Sequence, residues 1–244
     1  MPVTVTAIPH LSDNYAWLLR DQATGATALC DPGEGPGVIA ALERLGVRTL
    51  DKILLTHHHG DHIGGVPAVK ARFGGAVVGA EADRHRLPPL DEVVRPGGTV
   101  TLGQSTATVI DTPGHTRGHI AYHFPDGDVL LCGDTLFSVG CGRLLEGTAE
   151  EMFRSLRALS ALPDATLVCC GHEYTESNIR FALTVEPDNV ALRAREAQAK
   201  AQRAAGQPTV PTTMAEERAT NPFLRAPDAA RLAAVRAAKD NFRG

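Results

Sequence analysis

Four times along this chain a short apolar run ends in a turn that carries histidine or aspartate beside a glycine. Lys52-Ile53-Leu54-Leu55 leads into Thr56-His57-His58-His59-Gly60-Asp61-His62, and Ala107–Asp111 leads into Thr112-Pro113-Gly114-His115. Val129–Cys132 leads into Gly133-Asp134-Thr135, and Thr166–Cys170 into Gly171-His172. Runs of this length and composition read as buried strands, and glycine beside each ligand-type residue permits a tight turn close to an ion. Chance is a poor account of four such junctions, so the strand ends must meet at one place.

The first junction is the densest. Donors stand at offsets 0, 2, 4 and 5 from His57, a spacing that does not belong to one helix face, where neighbours sit three or four apart. In an extended turn His57 and His59 project to the same side and can share one cation. Asp61 and His62, two steps on, reach a second. Imidazole with carboxylate suits zinc, iron or manganese and does not choose among them.

Around these junctions strand and helix signals alternate, then helices take over. Val3–Ile8, Tyr15–Leu19, Ala26–Cys30 and Ala76–Gly79 read as strands, with helices at Gly37–Leu45 and Val66–Phe73. Thr99–Leu102, Ala107–Asp111, His119–Phe124 and Val129–Cys132 make the middle strand-rich. Thr148-Ala149-Glu150-Glu151 has the form of a capping box and opens a helix to about Leu162. After Cys170 the β signal vanishes, leaving helices at 175–185, 189–205 and 227–242 and a Pro/Thr-rich link at 207–213.

Length and charge narrow the function classes. At 244 residues the chain exceeds the roughly 150 of an average domain without reaching two large ones. No basic stretch followed by an apolar run opens it, and no apolar segment approaches the roughly 20 residues of a membrane span; a cytoplasmic address is expected. Five cysteines without a CxxC pair read as reduced core thiols. Residues 1–188 hold 23 Asp+Glu against 14 Lys+Arg, whereas residues 189–244 hold 5 against 10. Most of the basic tail reads as solvated helix faces, with a few cations left to recognise an anionic ligand. With 5% aromatic residues and no basic surface interleaved with them, nucleic acid is not an expected partner. A monomer is expected.

The set His57-x-His59-x-Asp61-His62, then His115, Asp134 and His172, resembles the two-metal signature of the metallo-β-lactamase superfamily. The resemblance implies an α/β fold, an αββα sandwich with its metals at one edge. It further implies one metal on His57, His59 and His115, the other on Asp61, His62 and His172, and Asp134 between them. It covers about residues 1–172, taken as the catalytic domain; residues 173–244 are taken as a helical extension that binds substrate. Asp31 reads either as a hydrogen-bond partner of a ligand histidine or as a turn cap. His119 reads either as a residue orienting a ligand or as an ordinary strand-edge histidine. His58 is expected to point away from the donors as surface decoration, and His10, His85 and His123 to be structural.

Further segments resemble the hydroxyacylglutathione hydrolase (glyoxalase II) family: Gly140–Thr148, Gly171-His172-Glu173-Tyr174-Thr175, Asn221-Pro222-Phe223-Leu224-Arg225 and Arg236–Asp240. The family implies hydrolysis of an S-(2-hydroxyacyl)glutathione to glutathione and a 2-hydroxy acid, S-lactoylglutathione to D-lactate in methylglyoxal detoxification. Two divalent cations, zinc with iron or manganese as alternatives, would hold a bridging hydroxide between Asp134 and Asp61 that attacks the thioester carbonyl. The departing thiolate, from a thiol of pKa about 8.5, needs no strong general acid.

Substrate contacts implied by the resemblance are Arg143, Leu145, Tyr174, Arg236 and Lys239. Arg236 and Lys239, three apart on a helix, project together and can clamp a carboxylate. Where the family commonly carries lysine and tyrosine, this chain has Arg143 and Leu145, which implies weaker glutathione binding rather than a new reaction. The competing functions are a glutathione persulfide dioxygenase, a lactonase or esterase of the same fold, and a non-catalytic metal-binding protein. The first uses one metal and the second needs no Arg236 and Lys239, while an intact set of seven donors disfavours the last.

Overall fold

In the computed structural model, which describes residues 2–244, strict alternation sorts the first strands' side chains onto two buried faces. Strands β1 (Val3–His10), β2 (Asn14–Asp21), β3 (Thr27–Cys30), β4 (Lys52–Leu54), β5 (Ala76–Ala80) and β6 (Glu92–Val94) form one sheet in chain order. β1 to β3 pair antiparallel and β3 to β6 parallel. Successive strand residues face opposite ways. Tyr15, Trp17, Leu19, Cys30, Leu54 and Val78 therefore enter one core, while Leu18, Leu29, Ile53, Leu55 and Val77 enter another. Helices α1 (Pro36–Arg44), α2 (Gly60–Ile63) and α3 (Val66–Phe73) interrupt these strands. Val38 and Leu42 of α1 and Val66, Val69 and Phe73 of α3 close the outer core.

The second sheet contains β7 (Thr99–Leu102), β8 (Ser105–Asp111), β9 (Ile120–Phe124) and β10 (Val129–Gly133). After the hairpin β11 (Leu136–Phe137) and β12 (Gly140–Cys141) come β13 (Leu167–Cys170) and β14 (Thr212–Thr213), giving the order β14-β13-β10-β9-β8-β7. Val109, Ile120, Tyr122, Phe124 and Leu130 join Trp17 and Leu54 in the core between the sheets. Helix α4 (Ala149–Ser160) starts at the Thr148–Glu151 capping box. Helices α5 (Thr175–Val185), α6 (Val190–Ala204), α7 (Met214–Thr220) and α8 (Ala229–Asn241) form the tail. The architecture is the expected αββα sandwich with a helical C-terminal region. Among the described residues no helix is long and apolar enough to cross a membrane. All five cysteines are free and buried.

The tail departs from expectation in two places. The β pattern does not vanish after Cys170, because Thr212–Thr213 pairs antiparallel with Leu167 and Val168. Two residues are too few to show alternation, and the same holds for β11 and β12. The link at 207–213 is followed by α7, whose capping box, Thr213 with Glu216, stood in the sequence in the same Thr-x-x-Glu form as Thr148–Glu151.

Candidate metal centre

β10 runs parallel to β13 and antiparallel to β9, which is antiparallel to β8. The turns after β8, β10 and β13 therefore leave the same end of the sheet, carrying His115, Asp134 and His172. The turn after β4 joins them through Ile120 N, which donates to Thr56 O at 3.0 Å. Packing there leaves no room for extra carbons: a Cβ at Gly171 would collide with Asp134 Oδ1 and His62 Cε1. Gly133, at φ 46, would bring one against Thr56 Oγ1 and His119 Nε2. Asp61 and His62 sit on α2 rather than in an extended turn, which begins at Gly60 with His59 as its cap.

All seven expected donors converge. His57 Nε2 and His115 Nε2 each lie 3.0 Å from His59 Nδ1. His62 Nε2 lies 3.4 Å from His172 Nε2, and Asp61 Oδ2 is 3.4 Å from His172 Nε2 and 3.7 Å from His62 Nε2. Donors held at about 2.0–2.1 Å from one tetrahedral ion stand roughly 3.3 Å apart, so both clusters have the spacing of a coordination shell. Asp134 adjoins both, with Oδ2 3.5 Å from His115 Nε2 and 3.3 Å from His172 Nε2. Its Oδ1 is buried without a hydrogen-bond partner. A buried carboxylate oxygen left so is costly unless a cation meets it, and the donor set therefore fits two divalent ions.

Contacts behind the donors settle which ring nitrogens carry hydrogen. Thr56 Oγ1 donates to Asp31 Oδ2 at 2.6 Å and so accepts from His57 Nδ1 at 3.0 Å. His62 Nδ1 donates to Asp31 Oδ2 at 3.1 Å, His115 Nδ1 to Arg143 O at 2.9 Å, and His172 Nδ1 to Asp13 Oδ1 at 2.8 Å. Each of these four rings thus turns Nε2 toward the centre, the atom that would give its lone pair to a bound cation. Burial pushes His57, His59 and His115 below the ordinary imidazole pKa, which keeps them neutral. Burial also disfavours charge on His172, but Asp134 and Asp61 beside it outweigh that and push it up to about 10. The carboxylates call for positive charge where the lone pairs meet.

A cleft of about 630 Å³ opens from this centre, with His115 and Asp134 at its inner end. Phe137, Tyr174, Arg143, Arg236 and Lys239 are among its walls. Tyr174 stacks on the His172 ring at 4.7 Å, the planes 4° apart. Arg236 is buried; it donates from Nη1 to Cys141 O at 2.8 Å and pairs through Nη2 with Asp240 at 2.8 Å. Lys239 Nζ donates to Ser177 O at 3.0 Å. Burial, then Arg236, Arg180 and Arg143, pull its pKa down to about 8. Arg143 is exposed at the rim. Leu145 is 58% exposed and stands outside the cleft lining.

Asp31 has the ligand-orienting role: its Oδ2 holds His62 while Oδ1 accepts from Thr56 N at 2.9 Å. His119 orients a ligand through the backbone, since its Nε2 accepts from Asp134 N at 3.1 Å. His58 corrects the expectation of surface decoration. It does point away from the centre, but only 16% of its side chain is exposed, and its Nδ1 lies 3.0 Å from buried Asp83. Asp13 and Asn14, which donates to Asp61 Oδ2 at 2.9 Å, were invisible in the sequence. They lie 159 and 47 residues from their partners, with no local pattern linking them.

Comparison with known proteins agrees with this geometry. The family model for the metallo-beta-lactamase superfamily matches residues 11–172, and that for the hydroxyacylglutathione hydrolase C-terminus matches residues 173–242. The chain is 49% identical to the hydroxyacylglutathione hydrolase of Ruegeria pomeroyi, across 99% of this chain and 100% of that protein. It is 53% identical to the protein of the same name from Acidiphilium cryptum, across 98% and 97%. Among solved structures, ETHE1 from Myxococcus xanthus superposes with a TM-score of 0.72 at 28% identity, covering 98% of this chain and 92% of that one. The BLEG-1 B3 metallo-beta-lactamase gives 0.69 at 26% identity, covering 91% and 99%. The chain belongs to the hydroxyacylglutathione hydrolase family of the metallo-beta-lactamase superfamily.

Proposed function

We propose that His57, His59 and His115 hold one divalent cation, that Asp61, His62 and His172 hold a second, and that Asp134 joins them. Zinc is the cation we place there, with iron or manganese compatible with the same donors. The reaction is hydrolysis of an S-(2-hydroxyacyl)glutathione to glutathione and a 2-hydroxy acid. The observation that carries this assignment is the junction of two features: the seven-donor centre opens, through His115 and Asp134, onto a cleft whose walls also bear Arg143, Arg236 and Lys239. A glutathione thioester suits that arrangement: its reactive carbonyl hangs from the central cysteine sulfur, and its two carboxylates, at the two ends of the tripeptide, lie away from it.

When bound, the cations make a water acidic enough to attack at neutral pH and draw electron density from the thioester oxygen. The remaining work falls to the chain. Asp61, with 42% of its side chain exposed, would accept a hydrogen from the attacking water and so orient it. Asp134 stays ionised: burial alone would raise its pKa, but His62 and His172 hold it well below the usual carboxylate range. Arg143 and Lys239 receive the glutathione carboxylates, and Arg236, engaged with Cys141 O and Asp240, stiffens that wall. Tyr174, stacked on His172, offers its hydroxyl from the cleft wall. The thiolate leaves without a proton donor, since its pKa lies near neutrality. Five buried free thiols suit a reducing compartment, and we place the enzyme in the cytoplasm.

Hydrolysis of S-D-lactoylglutathione, followed by loss of the thioester absorbance alongside metal analysis, tests the proposal. Rapid turnover with close to two metals per chain, abolished by a chelator, is expected. A fully metallated protein inert to that thioester would overturn it.

A further inference from the structure

The helical tail reaches the cleft by a second route, through the hairpin β11–β12 that lies between Asp134 and Arg143. Its loop is two residues long, Ser138-Val139. Loops of this length favour residues at ease with positive φ, glycine or asparagine above all. Val139 sits there at φ 56, a conformation that β-branched residues avoid. Both loop residues are buried, and the tip is held by groups from the tail. Val139 N donates to Glu217 Oε2 at 2.8 Å, and Asn178 Nδ2 donates to Ser138 O at 3.0 Å. Asn221 Nδ2 reaches Phe137 O at 3.1 Å and Gly140 O at 2.9 Å.

Glu217 is fully buried and forms no ion pair among the described residues. Its Oε1 accepts from Thr212 Oγ1 at 2.7 Å, and its Oε2 also accepts from Asn221 Nδ2 at 3.0 Å. A carboxylate so placed is expensive, and no step of the hydrolysis uses it. What it holds is the amide of the strained residue. On either side of that residue, Phe137 and Cys141 line the cleft, and Arg236 Nη1 donates to Cys141 O.

We infer that Glu217 is a positioning residue for the substrate, fixing the β11–β12 hairpin so that the cleft wall and Arg143 stand at the right distance from the donors. The inference rests on the thioester-hydrolase assignment and deepens it. Asp134 is anchored independently, through its N–H to His119 and through Thr135 Oγ1, which donates to Thr112 O at 3.3 Å. Loss of Glu217 therefore loosens the substrate wall while Asp134 keeps its own anchors. The hairpin's exit also meets the donor centre where Arg143 O accepts from His115 Nδ1 at 2.9 Å, which is why metal content is read alongside KM.

The experiment compares wild type with Glu217→Met, which removes the acceptor, and Glu217→Gln, which keeps an oxygen for Val139 N–H. Each is assayed for metal content, KM and kcat on S-D-lactoylglutathione, and calorimetric affinity for glutathione. Wild-type turnover tests the assignment itself, so its failure is separable from failure of this inference. In the Met variant KM and the glutathione Kd rise on the order of tenfold, with kcat and metal content held; the Gln variant stays near wild type. If the Met variant does not fold, Glu217→Asp, whose shorter side chain withdraws from Val139, decides the question by the same readouts. Unchanged KM in a folded, metallated Met or Asp variant overturns the inference. So does a loss confined to kcat and metal content, or a Gln variant as impaired as Met.

Discussion

The Asp31 carboxylate lies 3.1 Å from His62 Nδ1 and directs that ring's Nε2 into the centre, 3.3 Å from Asp134 Oδ1. The same oxygen accepts from Thr56 Oγ1, which in turn accepts from His57 Nδ1. One buried carboxylate thus orients a ring in each of the two donor clusters.

Asp31→Ala is therefore expected to weaken metal binding by about 10- to 100-fold while leaving all seven donors in the sequence. Competition with a chromogenic chelator would measure it. Undiminished affinity in a folded variant would show that packing, rather than Asp31, orients His62.

With Lys239 receiving a glutathione carboxylate, as proposed, substrate binding acquires a pH dependence. Burial and the neighbouring cations Arg236, Arg180 and Arg143 lower its pKa to about 8, against which Asp240 acts in the other direction. The ammonium form, which attracts a glutathione carboxylate, predominates below that value and is lost as pH rises through it. KM for the thioester is expected to climb several-fold between about pH 8 and 9. Lys239→Arg, whose guanidinium stays charged, should keep KM flat across that interval. A KM that climbs equally in both proteins would place the titration elsewhere.

Leu145 stands in water at the rim, 58% exposed, near the exposed Arg143. Leu145→Tyr adds a hydroxyl, and a hydrogen bond so exposed contributes at the low end of about 0.5–1.5 kcal/mol. The expected result is a KM roughly two- to threefold lower with kcat unchanged, read from initial rates on S-D-lactoylglutathione. A change in kcat instead would bring the side chain closer to the reacting carbonyl than its position implies.

The donors were legible in the sequence because each announces itself locally, as a ligand-type residue and a glycine at the end of an apolar run. The strands were legible as apolar runs, since a strand buried on both faces must be apolar at every step, as Ile53, Leu54 and Leu55 are, while the sandwich itself followed from the family resemblance. What stayed hidden lacks a local pattern. Asp13 and Asn14 matter only because β2 begins beside the turn after β13, where Tyr15 N donates to Gly171 O at 2.8 Å. His58 acquires a partner only when Asp83 is folded against it. β14 owes its existence to Leu167 and Val168, not to Thr212 and Thr213. The sequence by itself determined the chemistry of the donors and the order of the strands, because composition and periodicity are properties of neighbours along the chain. Tertiary structure alone decided which nitrogen of each ring faces the centre and which buried carboxylate, Asp31 or Glu217, supports which wall. Those are hydrogen bonds between residues 31 and 78 positions apart, and only the fold brings their atoms within reach.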